Sequence, residues 1–165
     1  ERLLAAGGFD ETMVRNQDDE LSFRLRKASG RVVQSSSLRV KYHVRDSFKK
    51  LFLQFAQYGY WKVRVVRKHP RQASTRHFIP ALLVLALLIT ALAAPFAKIA
   101  LWASGAILGG YFAVLLLASL MQLRGPQVKL WPGVVGALAM MHFGYGLGFL
   151  LGWGPRLAIF GRTSR

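Results

Sequence analysis

At 165 residues the chain is long enough for one ordinary domain, but 53% hydrophobic against 18% charged residues is too apolar for a water-soluble one. With no cysteine, disulfides and thiolate metal sites are excluded. The net charge of +16 borders apolar stretches rather than forming a compact patch, which favours anionic lipid over nucleic acid as its partner.

Composition divides the chain at about residues 46 and 77. Residues 1–46 carry all seven acidic residues and nine Lys/Arg; residues 47–77 carry eight Lys/Arg and no acid; residues 78–165 carry six Lys/Arg and no acid. The expected order is a soluble edge, a basic interfacial band and a membrane region. Because the chain opens Glu1-Arg2-Leu3-Leu4 with neither an initiator Met nor a leader, it reads as the C-terminal portion of a longer protein.

In the first part, Asn16 is placed to cap a helix over about 17–29. Asp18, Asp19 and Glu20 lie in its first turn, Leu21, Leu25 and Ala28 form one buried stripe, and Gly30 follows the end. Arg31-Val32-Val33-Gln34-Ser35 and Leu38-Arg39-Val40-Lys41-Tyr42-His43 then read as short strands, the second alternating apolar and polar residues. From Ser47 to about Lys68 the period is helical again, with Phe48, Leu51, Phe52, Phe55 and Gly59 on one side and Lys50, Gln54, Gln57 and Trp61 on the other. A basic amphipathic helix with aromatic residues on its apolar side lies in the plane of a membrane surface.

Three uncharged apolar spans follow, at 78–96, 99–121 and 131–153, each near or above the roughly 20 residues that cross a hydrocarbon core. The tight joint at Ala94-Pro95-Phe96-Ala97 makes the first two a hairpin. Dense positive charge from Lys62 to Arg76 should stay cytoplasmic, which also keeps Arg124 and Lys129 inside. Three crossings then put Arg156, Arg162 and Arg165 outside, unless one segment is re-entrant. Gly144-Tyr145-Gly146-Leu147-Gly148 allows either that irregularity or close helix packing.

For chemistry, the acidic cluster Gln17-Asp18-Asp19-Glu20-Leu21 leads. Its plain reading is that carboxylates in a first turn complement the helix dipole, about 0.3–1 kcal/mol each. A second reading comes from its surroundings. Gly7-Gly8-Phe9-Asp10-Glu11, then Asp18-Asp19-Glu20-Leu21 and Arg24-Leu25 through Gly30, resembles the C-terminal part of the catalytic domain of family 2 glycosyltransferases. That family has Glu-Asp-x-x-Leu with an Arg on the next helical turn; here Gln17 stands for the Glu, Asp18 matches the Asp and Leu21 the Leu. Downstream, Gln57-Tyr58-Gly59-Tyr60-Trp61 resembles the Gln-x-x-Arg-Trp signature of membrane-bound processive members. Tyr60 stands where the family has Arg, a departure that bears on processivity and on the pyrophosphate contact that Arg makes. The run from Gln54 to Lys62, followed closely by apolar spans, is most similar to bacterial exopolysaccharide enzymes of the succinoglycan-biosynthesis type.

This resemblance implies an α/β fold, the C-terminal edge of a GT-A glycosyltransferase domain over 1–46. An interfacial helix and linker at 47–77 and an all-α transmembrane region of about three helices complete the expectation. It implies an inverting transfer of sugar from a nucleotide-sugar donor to a lipid-linked or polysaccharide acceptor, at the cytoplasmic face of a bacterial inner membrane crossed several times. Asp18 inherits the role of catalytic base, while Gly8, Asp19, Gln57, Trp61, Tyr60 and His43 are candidates for acceptor and diphosphate contacts. A base within hydrogen-bond reach of the attacking hydroxyl contributes about 10²–10⁴ in rate. The full-length enzyme is expected to use Mg2+ or Mn2+. The Asp-x-Asp that holds the metal in this family does not occur in the sequence, so no metal ligand is assigned and the chain alone is expected to be inactive.

Each candidate also has a plainer reading. His43 suits a solvated strand end; Trp61, Tyr58 and Tyr60 suit an aromatic belt at the membrane surface as well as a sugar ring. His69 and His77 suit lipid headgroups, and His142 a neutral hydrogen bond between helices. The alternative to an enzyme is a membrane anchor or small transporter subunit whose acidic helix docks a partner.

Overall fold

A computed structural model describes residues 2–33, 35, 37–41, 44–155 and 157–161. Its helices are α1 (Arg2–Ala5), α2 (Gln17–Lys27), α3 (Phe48–Lys68), α4 (Ile79–Ala93), α5 (Lys98–Gln122), α6 (Trp131–Gly152) and α7 (Ala158–Gly161). Short 3-10 turns stand at Pro70–Gln72, Thr75–His77 and Gly125–Leu130.

The α/β expectation is overturned: there is no strand among the described residues. Residues 31–33 and 38–41 run as irregular chain, with Val33 81% and Val40 87% exposed. Alternation of apolar and polar residues marks a capacity to pair, and a strand forms only where a neighbour supplies the ladder of hydrogen bonds. Among the described residues no such neighbour pairs with these segments, and Val32, Val33 and Val40 stay exposed.

The helix starts follow local chemistry. Asn16 does precede α2, yet its side chain makes no cap; it takes a left-handed backbone (φ 61°) and donates Nδ2–H to Tyr58 O at 3.0 Å. Ser29 (φ 58°) rather than Gly30 adopts the left-handed turn that ends the helix. Ser47 caps α3 by accepting from Lys50 N–H at 3.3 Å.

The fold is built around α3. Its second half is buried nearly all round, with Ala56, Gly59, Tyr60, Trp61, Lys62, Val63, Val65 and Val66 enclosed. One side packs against α6 in the same chain direction: a Cβ on Gly144, Gly148 or Gly152 would strike the carbonyl oxygen of Phe52, Ala56 or Tyr60 respectively, and one on Gly59 would strike Tyr145 O. Glycines four residues apart let two helix backbones touch. The stretch at 144–148 is therefore continuous helix made for close packing, and α3 and α6 must share one inclination in any membrane. The other side of α3 receives residues 10–28: Met13 and Phe23 join Ala56, Tyr60, Trp61, Val65 and Phe160 in one core cluster.

Two stretches are long and apolar enough to cross a membrane, Lys98–Gln122 and Gly125–Gly152. Most of the apolar surface of α5 is bare, as at Leu101, Trp102, Val114 and Met121, which is not how a soluble core helix is packed. The first expected span condenses into α4 of 15 residues, about 22 Å against a core of about 30 Å. Hydroxyls tie the hairpin together, with Ser104 Oγ donating to Thr90 Oγ1 at 2.7 Å; Tyr111 Oη and His142 Nδ1 share a hydrogen bond of 3.1 Å between α5 and α6.

Candidate functional site

Residues 6–16 reach α2 as a loop pinned at both ends. Gly7 (φ 82°) and Gly8 (φ 65°) take left-handed turns that aim the carbonyls of Ala6 and Gly8 at the Arg24 guanidinium, which donates to both; the Gly8 bond is 2.6 Å. Arg24 also grips Glu20 through paired bonds of 2.9 and 2.8 Å from Nε and Nη2 to Oε2.

Glu20 is the centre of this clamp. Its side chain is fully buried and is met by Lys68 at 2.7 Å and His69 Nε2–H at 2.9 Å, both from the end of α3. Burial pushes its pKa up, but the bonds from Arg24, Lys68 and His69 outweigh burial and hold it at about 2. Asp10 is likewise held at about 2, by Thr12 first and against partial burial, with Lys68 at 3.0 Å assisting. Lys68, between the two carboxylates, has its pKa raised, chiefly by Glu20. Sequence reasoning placed Glu20 with the other first-turn acids and His69 among lipid headgroups. The Glu20 and Arg24 pair at i, i+4 was the one local signal of this clamp.

Gln17, where the family pattern has Glu, donates its amide to Met13 O and, at 3.3 Å, to Asp10 O. A carboxylate there would face two carbonyl oxygens with no proton to give, so the amide suits this loop.

The remaining acids separate sharply. Asp19 is ion-paired to Lys62 of α3. Asp18 is exposed and, among the described residues, carries no hydrogen bond or ion pair. It lines an open cavity of about 760 Å³ with Arg15, Asn16, Asp19, Arg26 and Tyr58. A second cavity of about 370 Å³ shares Asn16, Asp19 and Tyr58 with the first and continues between α3, α4 and α6 to His77, Met141 and Tyr145. Burial, Lys62 and Arg76 keep the His77 pKa below its usual range.

The other candidates fall elsewhere. Gln57 accepts from Arg15 Nε–H at 3.0 Å and lines a third cavity, of about 300 Å³. Trp61, 5% exposed, donates its indole N–H to Phe160 O at 3.0 Å; Tyr60 stacks on Phe160 and accepts from Leu157 N–H at 3.0 Å. Both aromatic side chains brace the segment after α6 and lie off the two cavities. Gly8 turns the loop that Arg24 holds. His43 and Tyr42 lie outside the described residues.

As a metal site the acids here do not fit. Among the described residues no three of His, Asp or Glu converge, and Asp10, Asp19 and Glu20 already hold cations. What the cavity offers instead is an unoccupied carboxylate, Asp18, next to a cationic and aromatic wall: a proton acceptor facing solvent.

No family model and no solved structure matches the chain. It is 29% identical over 149 residues, 90% of its length, to the succinoglycan biosynthesis protein ExoA of Rhizobium meliloti (strain 1021). The chain spans 44% of that relative.

Proposed function

We propose that this chain is part of a membrane-bound glycosyltransferase of exopolysaccharide biosynthesis, with Asp18 as the base that takes the proton of the attacking acceptor hydroxyl. The observation that carries it is the division among the acids: Asp19 and Glu20 are bound by cations, while Asp18 faces the larger cavity unpaired among the described residues. A free carboxylate at the start of a helix accepts a proton without first breaking an ion pair. The distant similarity to a succinoglycan biosynthesis protein supports the same chemistry.

In this reading the transfer inverts the sugar, the donor is a nucleotide sugar and the acceptor is lipid-linked or polysaccharide. Residues outside this chain bind the donor nucleotide and hold Mg2+ or Mn2+, so the chain alone does not turn over. The bare apolar faces of α4 and α5 sit in lipid, and the basic stretch from Lys62 to Arg76 keeps the cavities on the cytoplasmic side with anionic headgroups near.

Asp18→Asn in the full-length protein, assayed in membranes with labelled nucleotide sugars, is expected to lower transfer by about 10²–10⁴. Asp19→Asn, which removes only an ion-pair partner, should cost less. Undiminished transfer by Asp18→Asn removes Asp18 from the chemistry.

A further inference from the structure

A further cavity, of about 640 Å³, lies between the last turn of α2 and the end of α3, lined by Arg26, Lys27, Lys68, His69, Pro70 and Arg71. No carboxylate lines it. Lys68 is paired with Asp10 and Glu20, and Arg24 with Glu20, so those acids are already taken. Arg26, Lys27 and Arg71 form no ion pair among the described residues, which leaves three positive charges around one cavity. A helix dipole explains a cation at a helix end. It does not explain why cations from two helix ends and a 3-10 turn converge on one cavity with no acid in it.

Several of these groups are held in place before any ligand arrives. Arg26 donates Nε–H to Ser22 O at 3.2 Å and lies 5.0 Å from the centre of the Phe23 ring, so its two Nη groups stay unused among the described residues. Glu20 anchors Lys68 at 2.7 Å and His69 at 2.9 Å. Pro70, with its fixed φ, opens the turn that carries Arg71. A site arranged in advance loses less conformational entropy on binding than cations on loose chains do. Guanidinium groups match phosphate oxygens in pairs of hydrogen bonds. A phosphate monoester carries about −1.5 to −2 at neutral pH, so two phosphate groups balance three cations and one does not. The volume also suits such a ligand, since small-molecule sites run from about 300 to 1,000 Å³.

We propose that this cavity is a binding site for a compact ligand with two phosphate groups, held by Arg26, Lys27 and Arg71. Two sources carry that chemistry: a soluble bisphosphate, and the headgroup of diphosphatidylglycerol, which basic pockets beside membrane helices bind. The site goes beyond the transferase reading and does not rest on it; it takes neither the donor nor the acceptor of that reaction.

Pyrophosphate is the probe, titrated by calorimetry against the chain in phosphatidylcholine nanodiscs, with inorganic phosphate as the comparison. Saturable binding at least tenfold tighter than that of inorganic phosphate is expected. Lys27→Gln and Arg71→Gln, at exposed positions with no bond among the described residues, should each weaken it about five- to tenfold and leave the unfolding temperature unchanged. Lys129→Gln removes the same charge from the turn before α6 and should leave binding unchanged. Wild-type affinity in both cavity variants, or an equal loss in all three, overturns the site. A nucleotide sugar that displaces pyrophosphate also overturns it, because the cavity would then belong to the transferase donor. Diphosphatidylglycerol in the nanodisc, set against phosphatidylglycerol of equal charge, separates the two sources. Displacement of pyrophosphate by the former alone assigns the lipid, and unaltered binding assigns a soluble bisphosphate; displacement by both alike reduces the site to surface charge and overturns it.

Discussion

Replacing Gly148 by alanine puts a Cβ 2.0 Å from the carbonyl oxygen of Ala56 and 2.9 Å from its Cα. Carbon and oxygen in contact stand about 3.3 Å apart, so α6 must retreat by about 1.3 Å at that level. The neighbours are backbone atoms, which cannot rotate aside. The same retreat opens the seams at Gly144 against Phe52, Gly152 against Tyr60 and Gly59 against Tyr145. A gap of 0.5–1 Å already forfeits about a quarter to a half of each dispersion contact, and overpacking costs about 1–3 kcal/mol, here at the upper end. Thermal unfolding of the chain in detergent, followed by tryptophan fluorescence, should fall by about 5–10 °C. Gly105→Ala on α5 is the control, because a Cβ there meets nothing within 4 Å and alanine favours the helix. If Gly148→Ala melts with the wild type, or if Gly105→Ala loses as much, the backbones of α3 and α6 do not meet as described.

Acid should unfold the clamp around Glu20. A carboxyl moved from its ordinary 4.5 to about 2 adds stability that is complete above pH 4.5 and is lost as pH falls toward 2. At 1.36 kcal/mol per pH unit the loss is about 3 kcal/mol, with Asp10 adding to the same window. Glu20→Gln should cost about 3 kcal/mol at neutral pH, by leaving Arg24 and Lys68 short of a partner, and should flatten the acid limb; an unchanged limb in a pH titration of unfolding would count against it. Trp61→Phe should lose about 1 kcal/mol with the bond to Phe160 O and loosen the segment after α6, read as faster amide exchange at 157–160. Unaltered exchange there would show that Trp61 does not hold that segment.

Much of the helical content was legible in the sequence because it depends on local period and local caps. The bounds of α2, α3, α5 and α6 lie within two residues of expectation. The alternation of Leu38, Val40 and Tyr42 in the sequence misled for the complementary reason: Leu38 and Val40 stand exposed, because strand formation is a property of pairs of segments, and pairing is not written in one of them. Asp18, the base that the sequence suggests, lines the cavity of about 760 Å³, whereas Trp61 and Tyr60, adjacent on α3 and expected to face membrane or sugar, are enclosed.

Composition alone determined that the chain divides into an acid-bearing part and an apolar part, because charge and hydrocarbon partition by solvent whatever the fold. Only the tertiary structure decided which of the three first-turn acids is left unpaired among the described residues. Asp18, Asp19 and Glu20 are consecutive, but a helix turns each about 100° from the last, so Glu20 meets Arg24, Lys68 and His69, Asp19 meets Lys62, and Asp18 is left facing the cavity. Apart from Arg24, the groups that make that distinction come from 43 or more residues away, on α3 and just beyond its end. Long-range contacts of that kind exist only once α3 has packed against α2 on one side and α6 on the other.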